Sequence, residues 1–355
     1  MTLKDLGYSN SLEDYRIKQN LKSLETGRII SEHKERYIVK TAKNEFVAEI
    51  TGNLRFTASD RADLPVVGDW VAFMIYNDKL AIIHKILPRK NLLERQFVGK
   101  SGEKQPVAAN LDFAFIMQSA DRDFSVNRLE RYLTICYAAK VKPVIVLSKT
   151  DLIGETETAN LLKELNSRLR NILVIAISNM TRTGYEKLQS VLKKGKTYCI
   201  LGSSGVGKST LINNLAGKEI MKTLSISLST KKGRHATSHR ELIALETGGI
   251  LIDNPGMREV GIADTTGGIE KTFDTIFSLS PDCRFSDCTH THEKGCAVLA
   301  AIENGILDRA AYNNYLKIEK ENLRFKMTVA EKRRKDKAFG KMCREGVKKR
   351  KQDKY

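Results

Sequence analysis

Apolar positions follow different rhythms along the 355-residue chain. From about residue 27 to 87, short β-rich runs at 36–39, 45–50, 66–75 and 80–86 are cut by turn residues, which predicts a small barrel. Trp70, Phe73 and Tyr76 read as core of that barrel rather than as stacking platforms for bases. Residues 88–91 and 99–105 are polar and turn-rich and read as a linker. Strand-length apolar runs at 111–117, 144–147, 173–177 and 198–201 then alternate with helical patterns at 127–139, 158–168 and 185–192, the order of a parallel α/β sheet. Past residue 279 the pattern changes to a cysteine cluster, short helices at 296–301 and 307–316, and a charged tail. No internal repeat is visible. The expected fold class is multidomain α/β, with units at 1–98, 107–276 and 277–355, and the length fits two or three domains.

Charge adds a partner class. Lys and Arg number 60 against 42 Asp and Glu, a net charge of +18. Residues 332–355 hold twelve Lys or Arg against three acids, half of that excess. Such a chain favours a polyanion over an acidic small molecule. The tail carries charge without interleaved aromatics at Lys332-Arg333-Arg334-Lys335 and Lys348-Lys349-Arg350-Lys351, which suits contact with backbone phosphates without base readout. A solvated helix end is the alternative. The apolar runs are too short to span a membrane, and residues 1–20 lack the apolar core of a secretory signal. A soluble protein of a reducing cytoplasm is therefore expected, because three of the six cysteines cluster as in a metal site and the others are scattered.

The sharpest motif is Gly202-Ser203-Ser204-Gly205-Val206-Gly207-Lys208-Ser209, a G-x-x-x-x-G-K-[ST] loop after an apolar strand. The helix it opens begins near Thr210. Its backbone N–H groups would cradle phosphates, Lys208 would reach the β and γ oxygens, and Ser209 would ligate magnesium. The loop alone indicates a nucleoside triphosphate. Guanine is suggested by Ser148-Lys149-Thr150-Asp151 at a strand end, where Asp151 would accept from the base and the Lys149 stem would cover the ring. This segment precedes the phosphate loop, the reverse of the usual order. Ser148 stands where an asparagine is usual, and its shorter hydroxyl is expected to lose part of the bracing between base loop and phosphate loop. Ser178-Asn179 follows a second strand and is a further guanine-facing turn. Downstream, a strand runs into Asp253-Asn254-Pro255-Gly256: Asp253 would hold magnesium through water and the Gly256 N–H would sense the γ-phosphate.

Between these lies a polar segment, 231–240, where a first switch is expected. Thr237 is the candidate for magnesium and γ-phosphate, with Ser238 as the alternative. Met257 occupies the position from which a glutamine would orient water, so unaided hydrolysis should be slow. His235 is a candidate for that catalytic role, against the alternative of a surface or phosphate-contacting loop histidine. Cys283-x4-Cys288-x-His290-x5-Cys296 offers three thiolates and one imidazole at spacings a tetrahedral structural zinc accepts, with His292 as a rival for the nitrogen.

Taken together, these motifs resemble the circularly permuted, ribosome small-subunit-dependent GTPases of the RsgA type. The likeness covers nearly the whole chain: the base motif, the Ser178 turn, the phosphate loop, Gly233-Arg234-His235 with Thr237, and Asp253-x-Pro255-Gly256 occur in that family's order. Departures from its pattern are Ser148 for Asn, Asn179 for Ala, Ala236 for Thr and Asn254 for Thr. The resemblance implies an N-terminal OB-fold barrel, a circularly permuted P-loop GTPase domain and a C-terminal zinc module in which His290 is the nitrogen ligand. It implies GTP or GDP, magnesium and one structural zinc as cofactors. The small ribosomal subunit and its rRNA are the implied partner, engaged by a monomer without a membrane, in late maturation of that subunit, with hydrolysis stimulated by the subunit and coupled to release. A non-catalytic RNA-binding scaffold with a decayed nucleotide site is the alternative. A P-loop small-molecule kinase would leave the zinc module and tail unexplained.

Overall fold

The computed structural model describes residues 1–33, 36–97, 103–121, 124–221, 240–254, 265, 267–327 and 331. After helix α1 (Asn10–Lys18) come strands β1 (Glu25–His33), β2 (Arg36–Lys40) and β3 (Glu45–Ile50), the short helix α2 (Gly52–Thr57), and strands β4 (Trp70–Ile75) and β5 (Leu80–Ile86). Neighbours run β1-β2-β3-β5-β4, and β4 pairs back with β1, so the five strands close on themselves. Closure removes the free edges that an open five-stranded sheet would expose. Alternation along β3 buries Phe46, Ala48 and Ile50 and exposes the residues between them, as a one-sided strand must. Trp70 and Phe73 are buried as expected, but Tyr76 is 72% exposed. It sits just past the end of β4, beyond the reach of the core.

Strands β6 (Leu92–Gln96) and β7 (Lys104–Ala109) form an antiparallel hairpin where a linker was expected. Its apolar side, Leu93, Val107 and Ala108, joins the main core and fixes the hairpin in place. Then follow β8 (Phe113–Ser119), α3 (Val126–Ala138), β9 (Lys142–Ser148), α4 (Gly154–Arg168), β10 (Val174–Ala176), α5 (Tyr185–Val191), β11 (Thr197–Gly202), α6 (Lys208–Ala216), β12 (Glu241–Ala244) and β13 (Ile250–Asp253). The sheet order is β10-β9-β8-β11-β13-β12, parallel except for β12. Both faces are covered, with separate apolar clusters above and below, as a parallel sheet requires. Ser31 of β1 pairs with Glu241 of β12, which makes barrel and parallel sheet one continuous hydrogen-bonded surface.

Helices α7 (Gly268–Thr272), α8 (Asp274–Leu279), α9 (Ala297–Glu303) and α10 (Arg309–Lys326) close around a third core that includes Ile269, Phe273, Val298, Tyr315 and Ile318. This unit docks on α3. Gly268 lies so close that a Cβ there would sit 2.2 Å from Thr134 O. Asn314 Nδ2 donates to Glu130 Oε2 at 2.6 Å, and Arg131 pairs with Glu321 at 2.7 Å. Among the described residues no helix is long and apolar enough to cross a membrane. The basic tail at 332–355, Thr237, Ser238, His235, Gly256 and Met257 lie outside the described residues.

Candidate nucleotide site and metal cluster

In a parallel sheet with helices on both faces, ligands collect at the carboxyl ends of the strands. Here β9 ends at Ser148, the turn after β10 carries Ser178, β11 ends at Gly202 and β13 ends at Asp253. Every base, phosphate and magnesium candidate within the described residues therefore falls on the same sheet edge. Strand β11 runs directly into the phosphate loop, and α6 starts at Lys208 with its N–H groups and positive dipole end directed at the loop. Lys208 is buried within the loop and donates from Nζ to Gly202 O at 2.9 Å and Ser203 O at 2.6 Å. Burial lowers its ammonium from the ordinary 10.5 to about 8, opposed by the nearby Asp253 carboxylate. Burial raises Asp253 from 3.8 to about 6, opposed by Lys208 and reinforced by Glu241. A cation and a carboxylate held out of water at this edge form a site that a phosphate with its metal counter-ion would complete electrostatically.

Ser148 does brace the phosphate loop. Ser148 is fully buried, and its Oγ reaches Val206 O at 2.7 Å and Gln118 O at 3.3 Å. The short hydroxyl suffices because β9 brings it directly beside the loop. Lys149 adopts a left-handed backbone, φ +60°, and its Nζ pairs with Asp121 Oδ2 at 3.0 Å. Asp121 also accepts from Ser119 Oγ at 2.8 Å. Thr150 and Asp151 occupy the short 3-10 turn after β9, tied to the next strand end by the Thr150 N–H donating to Ile177 O. Ser178 is buried, and its Oγ accepts from the N–H groups of Met180 and Thr181, so its hydroxyl shapes the turn. Neither Asp121 nor the hydrogen bonds of Asn179 were visible in the sequence motifs. An acid two residues past the end of β8, just beyond the register pair Ser119–Ser148, is the signal that could have indicated the first.

The cysteine cluster assembles as its spacing predicts. Cys283, Cys288, His290 and Cys296 place their ligand atoms within 4.8 Å of one another. His290 Nδ1 faces Cys283 Sγ at 3.6 Å and Cys296 Sγ at 3.5 Å. Its other nitrogen, Nε2, contacts Ser280 Oγ at 3.1 Å, and its carbonyl accepts from Tyr312 Oη at 2.6 Å. A ring held by its far nitrogen is oriented as a metal-ligating histidine should be. His292 is exposed, and its Nδ1 engages Thr291 Oγ1, so it stands outside the cluster. The donor set fits one tetrahedral zinc.

Comparison with known proteins gives the family. The profile of the family described as RsgA GTPase matches residues 86–263. A small ribosomal subunit biogenesis GTPase RsgA 1 of Bacteroides thetaiotaomicron is 39% identical over 97% of this chain and 96% of its own length. An RsgA 2 of the same description from Listeria monocytogenes is 40% identical over 90% of the chain and 89% of its own. Among solved structures, YjeQ from Thermotoga maritima is 26% identical with a TM-score of 0.59, covering 84% of this chain and 98% of its own. YloQ, a circularly permuted GTPase, is also 26% identical, with a TM-score of 0.61 over 86% and 97% of the two chains. Because the family profile spans half of the chain and relatives of that name match it along nearly its whole length, the chain belongs to the RsgA GTPase family.

Proposed function

We propose that this protein hydrolyses GTP on the small ribosomal subunit as part of that subunit's late maturation, with hydrolysis stimulated by the subunit and coupled to release. The observation that carries the reading is the convergence of Ser148, Lys149, Asp151, Ser178, the phosphate loop and Asp253 on one sheet edge. Relatives named for small-subunit biogenesis, similar over nearly their whole length, supply the partner, and the +18 charge suits contact with rRNA.

In this reading Asp151 and Lys149 select guanine, and residues 202–208 with Thr210 hold the phosphates. Ser209 and Thr237 would ligate magnesium, Asp253 would act on it through water, and Gly256 would sense the γ-phosphate. Magnesium held by these residues would offset the negative charge of the phosphates. His235 is assigned the orientation of the attacking water, the role Met257 cannot fill. Cys283, Cys288, His290 and Cys296 hold one structural zinc. Residues 1–98 form the barrel unit, 107–276 the GTPase and 277–355 the zinc module with its tail; the GTPase unit lends Ile269 and Phe273 to the third core. The protein acts as a cytoplasmic monomer that joins the subunit. Family membership favours hydrolysis over a non-catalytic scaffold.

The test is GTP turnover with and without purified small subunits. Stimulation is expected, and its absence would overturn the coupling. Lys208→Ala should abolish nucleotide binding, and retained turnover in that variant would place the reaction elsewhere.

A further inference from the structure

The turn after β10 is tied to the phosphate loop by a side-chain network. Asn179 Nδ2 donates to Gly207 O at 2.9 Å, and Asn179 Oδ1 accepts from Tyr185 Oη at 2.7 Å. Asn214 of α6 donates from Nδ2 to Tyr185 Oη at 2.9 Å and to Asn179 O at 3.0 Å. Because the tyrosine hydroxyl accepts from Asn214, its own proton goes to Asn179 Oδ1. That fixes the amide with its NH2 group facing Gly207. The approach is close: a Cβ on Gly207, which holds φ +92°, would lie 2.4 Å from Asn179 Nδ2. Ser148 Oγ meanwhile donates to Val206 O, the preceding carbonyl of the same loop. Two consecutive loop carbonyls thus accept from two different strand ends, both on the guanine-reading side.

We infer that Asn179 is a positioning residue that, together with Ser148, locks the guanine-reading turns to the phosphate loop and so fixes the distance between the base and phosphate subsites. A nucleotide must fill both subsites at once, so a fixed span lowers the ordering required on binding, whereas a ligand of phosphates alone gains little from it. This rests on the reading that the site holds a guanine nucleotide.

The experiment is competition of GDP and of inorganic pyrophosphate against a fluorescent GDP analogue, on the full chain. Asn179→Ala should weaken GDP about tenfold, the order expected for one lost hydrogen bond. Pyrophosphate should change by less than about twofold, because it does not span the two subsites. Asn179→Asp keeps the shape but sets an anion against Gly207 O, and should lose at least as much as alanine does. The Ser148→Ala, Asn179→Ala double variant should lose more than the product of the single losses, since each strap limits the harm of losing the other. Equal weakening of GDP and pyrophosphate, or unchanged GDP affinity in Asn179→Ala, would overturn the inference. If the parent protein binds ADP as well as GDP, the guanine reading fails instead. The strap is then judged without nucleotide, by amide exchange at residues 203–207: faster exchange in Asn179→Ala upholds it, and unchanged exchange overturns it.

Discussion

Replacing Arg168 by methionine should destabilise the protein strongly, in a way that acid relieves. Glu130 of α3 is only 2% exposed and is held by Arg168 Nε at 2.8 Å, Arg168 Nη2 at 2.9 Å and Asn314 Nδ2 at 2.6 Å. Arg168 also lies 3.6 Å from Asp308, which caps α10. Removing one partner of a buried ion pair costs about 3–5 kcal/mol, because the remaining charge stays buried. Asn314 still donates to the carboxylate, which places the expected loss near the lower end, about 3 kcal/mol. Against a total stability of roughly 5–15 kcal/mol that is a large fraction. Burial already raises the Glu130 carboxyl above its ordinary 4.5, with Arg168 and Asn314 opposing the rise. The native state therefore binds more protons than the unfolded state between 4.5 and the native value, and stability falls as pH rises through that window. Without Arg168 the window extends further upward. Urea unfolding at pH 7 should show the full deficit, and the deficit should shrink as pH approaches 4.5. Glu130→Leu combined with Arg168→Met should return to within about 1 kcal/mol of the parent, since a buried pair replaced by apolar groups is often neutral. A loss below about 1 kcal/mol at pH 7, or one unchanged on acidification, would refute the assignment of Glu130 as a buried charge that depends on Arg168.

Two further outcomes are expected. Ser280→Ala should weaken zinc binding by about 10- to 100-fold, measured by chelator competition, because it removes the group that orients His290 Nε2; His292→Ala should leave affinity unchanged. Neutralising Lys348, Lys349, Arg350 and Lys351 should lower affinity for the small subunit and reduce the slope of log affinity against log salt, and an unchanged slope would return the tail to a solvated role.

Much of the architecture was legible because its signals are local. The run 80–86 and the run 45–50 match β5 and β3 as observed: β3 alternates strictly between core and solvent, and β5 opens on four consecutive apolar residues, Leu80 to Ile83. Strand β1 was not singled out because its first half buries Thr26 and Arg28, polar residues that break the apolar pattern. Arg28 is tolerated there by donating to Leu6 O and Gly68 O, partners that only the folded chain supplies. The β6–β7 pairing is hidden in the sequence by the polar residues between its strands and by Pro106, which lies beside a register shift and so interrupts the ladder that a sequence pattern would assume. In the site, motif spacing located the loop and the four metal-ligand candidates, but hydrogen-bond reach is a tertiary quantity. The Ser148 brace to Val206 O depends on where β9 places the hydroxyl, which residue type alone does not tell.

The pairing of β1 with β12 has a practical consequence for anyone who divides the chain. β12 is the outer strand of the parallel sheet, and β1 occupies its outer side; the opposite border is β10, only three residues long. A fragment lacking the barrel would lose the strand joined to β12 at Ser31–Glu241 and open that end of the border, where strands of other chains can add. Such a fragment should self-associate even where its fold survives, so the barrel acts within this chain as the guard of its neighbour's border.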